Sequence, residues 1–194
     1  MRVTVGVCVG VCVNVVVGVD VIVGLVALQR LAELVYAERN TAALKRDGAI
    51  EVGRSHYPLI VVLHAAWLVA IVAVAGPETT INWYLLGAFV VLQGLRVWVL
   101  ATLGPYWTTR IITKPGAPLV RRGPYRFVRH PNYLIVAGEI AILPLVFGEV
   151  AVAVVFTILN ALVLALRIWQ EEAALAPRRA LSSNIGAGAP VAKD

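Results

Sequence analysis

The sequence predicts an all-α, polytopic integral membrane protein with about five transmembrane helices, the last two forming a tight hairpin. Three observations carry this. Hydrophobic residues make up 60% of the chain and charged residues only 14%, where a soluble domain is about a quarter charged. A soluble fold of 194 residues has too little interior to hide that much apolar surface, so lipid must be its solvent. The apolar residues fall into long runs, and the basic residues behind the +6 net charge gather in alternate loops between them. That distribution suits topology control and anionic lipid headgroups, and it argues against a nucleic-acid partner.

The first run covers residues 3–28, interrupted by Asn14 and Asp20. Its Val-Gly-Val-Cys alternation imitates a strand, but an unpaired strand cannot cross lipid. The run is also longer than the apolar part of a signal peptide. Cys8 and Cys12 lie on one face of this span without metal-ligand company and read as small apolar residues. The second span covers residues 59–75 and ends at Gly76-Pro77; the third covers 81–103 and ends at Gly104-Pro105. The fourth runs over 132–147, with Pro144 as an expected kink. Only Gly148 and Glu149 separate it from the fifth, 150–169. The Ala-, Ser- and Gly-rich tail, 176–194, is expected to be disordered.

Charge sets the expected orientation. Arg30, Arg39, Lys45, Arg46 and Arg54 follow the first span, and Arg110, Lys114, Arg121, Arg122, Arg126 and Arg129 follow the third. Arg178, Arg179 and Lys193 lie in the tail, and the two remaining loops carry no Lys or Arg. Positive loops stay inside, which places the N-terminus outside and the C-terminus in the cytoplasm, as an odd number of spans requires. Within the spans, Asp20, His64 and Arg96 are candidates for function. His64 reads as a satisfied packing residue. Arg96 either snorkels to the headgroups, about 10 Å away at helical rise, or belongs to a site.

Two segments carry chemistry. Gly-Pro-Tyr-Arg-Phe-Val-Arg-His-Pro-Asn-Tyr, residues 123–133, opens the fourth span; Arg-Ile-Trp-Gln-Glu-Glu, residues 167–172, closes the fifth. The hairpin brings both to the cytoplasmic end. Pro131 fits a first helical turn, where its missing N–H costs nothing, and the free N–H groups beside Arg129 and His130 favour an anion. Tyr125 and Tyr133 add aromatic faces and hydroxyls. A juxtamembrane aromatic belt is the plainer reading, but His, Pro and two Tyr so close together favour a site. Arg167 and Glu171 have the spacing of an intrahelical pair, in its weaker order. Adjacent carboxylates at a helix C-terminus oppose the helix dipole, which marks Glu171 or Glu172 as holding a ligand.

These segments, with Gly138-Glu139 between them, resemble the membrane isoprenylcysteine carboxyl methyltransferase family and its phospholipid-methyltransferase relatives, over roughly residues 90–175. The resemblance implies that residues 1–175 form a single transmembrane methyltransferase domain using S-adenosylmethionine. It implies that His130 and Tyr133, with Tyr125 beside them, contact the cofactor's methionine end and Glu171 and Glu172 its ribose. Arg129 and Arg167 would hold the acceptor oxyanion. No metal is implied. Prenylcysteine-directed members continue past Glu-Glu into a Tyr- and Pro-rich segment, whereas this chain runs into Ala-Leu-Ala-Pro-Arg-Arg, residues 174–179. The stretch around Arg96 and around Trp107 resembles instead a bacterial subgroup, associated with type III polyketide synthases, that O-methylates long-chain alkylpyrones. That implies a lipidic enol or phenol acceptor entering from the bilayer, with a carboxylate next, and makes Arg96 and Trp107 substrate residues. The rival readings are a longer, NADPH-dependent membrane reductase of the sterol-reductase kind and a small membrane protein without enzymatic activity. Oligomeric state is not legible.

Overall fold

The computed structural model describes the backbone of residues 4–52, 57–76, 79–113 and 122–187, and the side chains of 18–52, 57–76, 79–113, 122–174 and 176. The side chains of Cys8, Cys12, Arg54, Lys114, Arg121, Arg178, Arg179 and Lys193, the Pro77 turn residue and tail residues 188–194 lie outside the described residues. The elements run α1 (Thr4–Arg46), β1 (Ile50–Val52), α2 (Tyr57–Val74), α3 (Trp83–Leu103), β2 (Ile111–Thr113), α4 (Pro131–Val146) and α5 (Val150–Ala187). Short 3-10 turns at Gly104–Tyr106 and Gly123–Arg126 follow α3 and precede α4.

Helix α2, the segment from α3 to Tyr106, and Val150–Ala174 of α5 are long and apolar enough to cross a membrane. Helix α4 has 16 residues, about 24 Å at helical rise and so shorter than a hydrocarbon core of about 30 Å. Helix α1 has 43 residues, roughly 65 Å and about twice what a span needs. The expected loop after the first span is therefore mostly helix, and Arg30, Arg39, Lys45 and Arg46 project from it. Leu25, Val62, Val69, Val90, Val91 and Leu162 are exposed, as suits faces turned to acyl chains rather than water.

The core is made where the helices meet. Trp67 and Ile71 of α2, Phe89 of α3, and Ile140, Leu143 and Val146 of α4 pack with Val19, Val23 and Val26 of α1. Gly138 lets α3 and α4 approach: a Cβ there would lie 3.0 Å from a Leu92 methyl. A second, smaller cluster nearer the basic loops joins Ala37, Val99, Trp107 and Ile135, with Tyr125 against it.

Pro144 lies inside α4, in its last turn. Its carbonyl accepts from Phe147 and Glu149, and Gly148 takes a left-handed φ of 78°, which makes the short connection to α5 possible. Asn82 caps α3 through its side chain and donates its N–H to the Val146 carbonyl at 2.8 Å, tying the start of α3 to the end of α4.

Two further features differ from the sequence expectation. Helix α5 continues to Ala187, through most of the segment read as a disordered tail. Ala, Leu and Arg dominate the continuation to 181, and these are strong helix formers. An antiparallel ribbon, Glu51 opposite Ile112 and Val52 opposite Ile111, joins the two basic connections. Strands of three residues are too short to leave a period-2 signal.

Candidate cofactor and acceptor site

Pro131 starts α4 with His130 as the residue before it, so His130 and Tyr133 lie three apart, on the same face of the first turn. Their rings stack, with centroids 5.3 Å apart and planes 12° from parallel. Two carboxylates arrive from α5. His130 Nε2 lies 2.9 Å from Glu172 Oε1, and its Nδ1 lies 3.9 Å from Glu171 Oε1. The Tyr133 hydroxyl donates to Glu171 Oε2 and accepts from Arg167 Nε at 2.7 Å. Arg167 Nη2 donates to the Thr109 carbonyl at 2.5 Å, and the Thr109 hydroxyl donates to the Tyr57 oxygen at 3.2 Å. One connected polar network thus joins α4, α5, the approach to β2 and the start of α2.

The structure brings together His130, Tyr133, Arg167, Glu171 and Glu172. Arg167 and Glu171 do not simply pair along their helix; the Tyr133 hydroxyl stands between them. Nor do Glu171 and Glu172 end a helix, since α5 runs on to Ala187, so opposition to the helix dipole is not what singles them out. They are distinguished by their partners. Tyr125 is half-buried in the second apolar cluster. Burial, reinforced by the charge of Glu171, pushes its phenol above the usual range, so it stays neutral and can act as a donor. The turn that carries Tyr125 begins at Gly123, whose φ is 57°; a Cβ there would meet the Thr102 hydroxyl at 2.5 Å. Arg129 is exposed, and among the described residues it makes no hydrogen bond or ion pair with this network.

Arg96 and Trp107 belong elsewhere. Arg96 does not snorkel: at 6% exposure it grips Glu33 through Nε at 2.7 Å and Nη2 at 2.5 Å and reaches Glu139 Oε2 at 3.1 Å. Glu139 also accepts from Arg30 at 2.6 Å and Gln93 at 2.9 Å, and Gln29 bridges Glu33 and Gln93. Two guanidiniums thus face two carboxylates in a closed cluster of α1, α3 and α4. Trp107 is buried beneath Arg96, whose guanidinium carbon lies 5.9 Å from the ring centroid. Sequence reasoning missed the partners in this cluster. Arg30 and Glu33 form an ordinary three-apart helical pair, and only the packing shows that they serve Arg96 and Glu139. His64 packs as expected, with Nδ1 2.8 Å from the Ile60 carbonyl and its ring edge-on to Trp67.

Beside Arg167 lies a small, open cleft. Glu51, Tyr57, Arg110, Arg167 and Gln170 line its polar side, and Leu59, Val163 and Leu166 its apolar side. Arg110 lies over the Tyr57 ring at 4.5 Å and is paired with Glu51 at 2.9 Å and Glu38 at 3.3 Å. Burial pushes the Glu51 carboxyl up, but hydrogen bonds from Lys45 and Arg110, with their charges, outweigh it and hold it below the usual carboxylate range.

An uncharacterized protein of Bacillus subtilis, YpbQ, is 38% identical over 158 residues, covering 79% of this chain and 94% of the relative. An uncharacterized protein of Haemophilus influenzae is 28% identical over 151 residues, covering 75% and 88%. No solved structure matches the chain. Residues 85–177 match the isoprenylcysteine carboxyl methyltransferase (ICMT) family. That segment holds α3 from its third residue, the turn at Gly123, the His130–Tyr133 face and both carboxylates of α5, and this chain therefore belongs to the isoprenylcysteine carboxyl methyltransferase family of membrane methyltransferases.

Proposed function

We propose that the protein is an S-adenosylmethionine-dependent O-methyltransferase that acts on a lipidic acceptor at the cytoplasmic face of the membrane. The observation that carries this reading is the single network linking His130 and Tyr133 of α4 to Arg167, Glu171 and Glu172 of α5. Its groups suit the cofactor. Carboxylates accept from ribose hydroxyls or an ammonium, and a stacked His–Tyr pair offers an aromatic face to a cation. When bound, S-adenosylmethionine supplies a methyl group already activated on a sulfonium.

The chain's own residues then bind and orient. His130, Tyr133, Glu171 and Glu172 hold the cofactor, with Tyr125 closing the site from the preceding turn. Arg167 lies between this network and the cleft and presents a charge that does not titrate, which fixes an acceptor oxyanion. Arg129, exposed one residue before His130, stands at the entrance and shares that role only if the ligand draws it in. An enol, phenol or carboxylate of low pKa is already anionic near neutral pH and needs little general base, so the protein contributes mainly alignment and exclusion of water. A long-chain alkylpyrone or similar enol is the favoured acceptor, with a carboxylate next. Its alkyl part enters from the bilayer.

The positive-inside tendency of the basic connections supports a cytoplasmic site and an N-terminus outside. Mass spectrometry of membrane lipids after incubation with methyl-labelled S-adenosylmethionine tests the reading. One or more acidic lipids should gain a labelled O-methyl group. A protein that binds S-adenosylmethionine but labels only nitrogen or carbon refutes O-methylation; one that binds none refutes the reading altogether.

A further inference from the structure

We propose that the cleft between the β1–β2 ribbon, α2 and α5 is the acceptor site, and that Arg110 is the residue that selects an acceptor with an anionic head. The inference rests on the functional reading above and names a site within it. Arg110 lines the cleft together with Arg167, and the two are joined through Thr109, whose carbonyl holds Arg167.

The donors of Arg110 are unequally engaged. Nη1 is fixed by Glu51, whose side chain is 8% exposed. Nη2 meets Glu38, whose side chain is 61% exposed, at 3.3 Å. Nε is buried and has no hydrogen-bond partner among the described residues. Nε and Nη2 form one edge of the guanidinium, the fork that takes a carboxylate or enolate through two parallel bonds. The Tyr57 ring at 4.5 Å and Glu51 hold the group in plane.

Lys45 and Arg110 balance Glu38 and Glu51. An acceptor anion that displaces Glu38 leaves this local charge unchanged and satisfies the orphaned Nε. Leu59, Val163 and Leu166 continue the cleft along α2 and α5, where a single alkyl chain has apolar company. The ligand class is therefore a single-chain amphiphile with a small, delocalised anionic head.

Equilibrium binding in detergent tests this, with a dansylated long-chain carboxylate and its neutral alcohol counterpart as probes. The wild type should prefer the carboxylate by roughly tenfold, the scale of a charge-assisted fork. Arg110→Gln should remove most of the preference, leaving only what Arg167 supplies, and Arg110→Lys should keep a larger part of it. Glu38→Gln removes an exposed competitor and should tighten carboxylate binding about fivefold, the scale of an exposed ion pair; because that side chain is exposed, its folding is not at stake. S-adenosylmethionine binding, measured on the same preparations, should stay unchanged. Arg110→Gln with the preference intact, or Glu38→Gln that weakens carboxylate binding, overturns the proposal. A wild type that prefers the carboxylate yet binds no S-adenosylmethionine leaves the cleft assignment standing and defeats the functional reading instead.

Discussion

Glu139→Gln should be among the most destabilising isosteric changes in the protein. The carboxylate is fully buried and meets Arg30 at 2.6 Å, Arg96 at 3.1 Å and Gln93 at 2.9 Å. With Glu33 it neutralises two guanidiniums. The amide keeps the shape but leaves those two guanidiniums facing one carboxylate. Removing one partner of a buried ionic group costs about 3–5 kcal/mol. At about 2–4 °C per kcal/mol for a chain of this size, the unfolding midpoint should fall by roughly 6–20 °C. The structure also names the rescue. Arg96 alone grips Glu33 through two bonds, whereas Arg30 meets it at 3.3 Å and has a buried Nε without a partner. Arg30→Met added to Glu139→Gln removes the surplus charge and should recover more than half of the loss. Thermal unfolding in detergent, followed by circular dichroism, measures all three proteins. A midpoint for Glu139→Gln within about 2–4 °C of wild type, the equivalent of about 1 kcal/mol, or an Arg30→Met that deepens the defect, refutes the reasoning.

His130→Ala and Glu172→Ala should each weaken S-adenosylmethionine binding by about tenfold to a hundredfold, the range for a charge-assisted hydrogen bond; calorimetry is the check, and unchanged affinity in both removes these residues from the site. Arg167→Lys keeps the charge but cannot serve the Tyr133 hydroxyl and the Thr109 carbonyl as a fork, so turnover should fall by about one to two orders of magnitude with little change in cofactor affinity. Near-normal turnover would leave Arg167 a structural partner of Tyr133 alone. The Glu51 carboxyl lies below its ordinary value of 4.5 when folded, so the stability it contributes is present above that pH and is lost as pH falls through the lower folded value. Glu51→Gln should therefore flatten the acid side of the profile of midpoint against pH, below about 4.5, and a wild-type slope in that window would exclude the ribbon's ion pairs as its source.

How much was legible follows from which interactions are local. The spans could be read because lipid demands long apolar runs, and the candidate site could be picked out because Arg-His-Pro-Asn-Tyr and Glu-Glu carry chemically distinctive residues at fixed places. Their convergence needed only a short hairpin. The partners of Arg96 could not be read. Arg30 and Glu33 look like an ordinary helical pair, and Glu139 is 43 positions from Arg96 in sequence. The length of α1 was hidden for a related reason. After residue 28 its apolar pattern becomes a stripe, since only one side of the helix continues to meet neighbours at Glu33, Ala37 and Thr41, and a stripe does not resemble a span. Arg110 was legible only as a loop charge, because what distinguishes it is the geometry of Glu38, Glu51 and Tyr57 around it.

Helix lengths explain why the reactive groups belong where they are. On the proposed topology the turn at Gly148 lies at the outer boundary. Helix α4, at about 24 Å, then stops roughly 6 Å short of the inner edge of a hydrocarbon core of about 30 Å. His130 and Tyr133 accordingly sit beneath the inner interface, while α5 continues past them and sets Glu171 and Glu172 opposite. Titratable groups at such a depth are costly unless they find partners within the protein, and here His130, Tyr133, Arg167, Glu171 and Glu172 partner one another. On the proposed function, the shortness of α4 would leave room at this end for a water-soluble cofactor to approach from one side and a bilayer-dissolved acceptor from the other. Lengthening α4 by one turn after Val146 would leave its internal packing register intact but move the His130 end by about 5 Å relative to Glu171 and Glu172. Cofactor binding should then fail even though every site residue is still present, because the site depends on where the two helices end relative to each other as much as on what they carry.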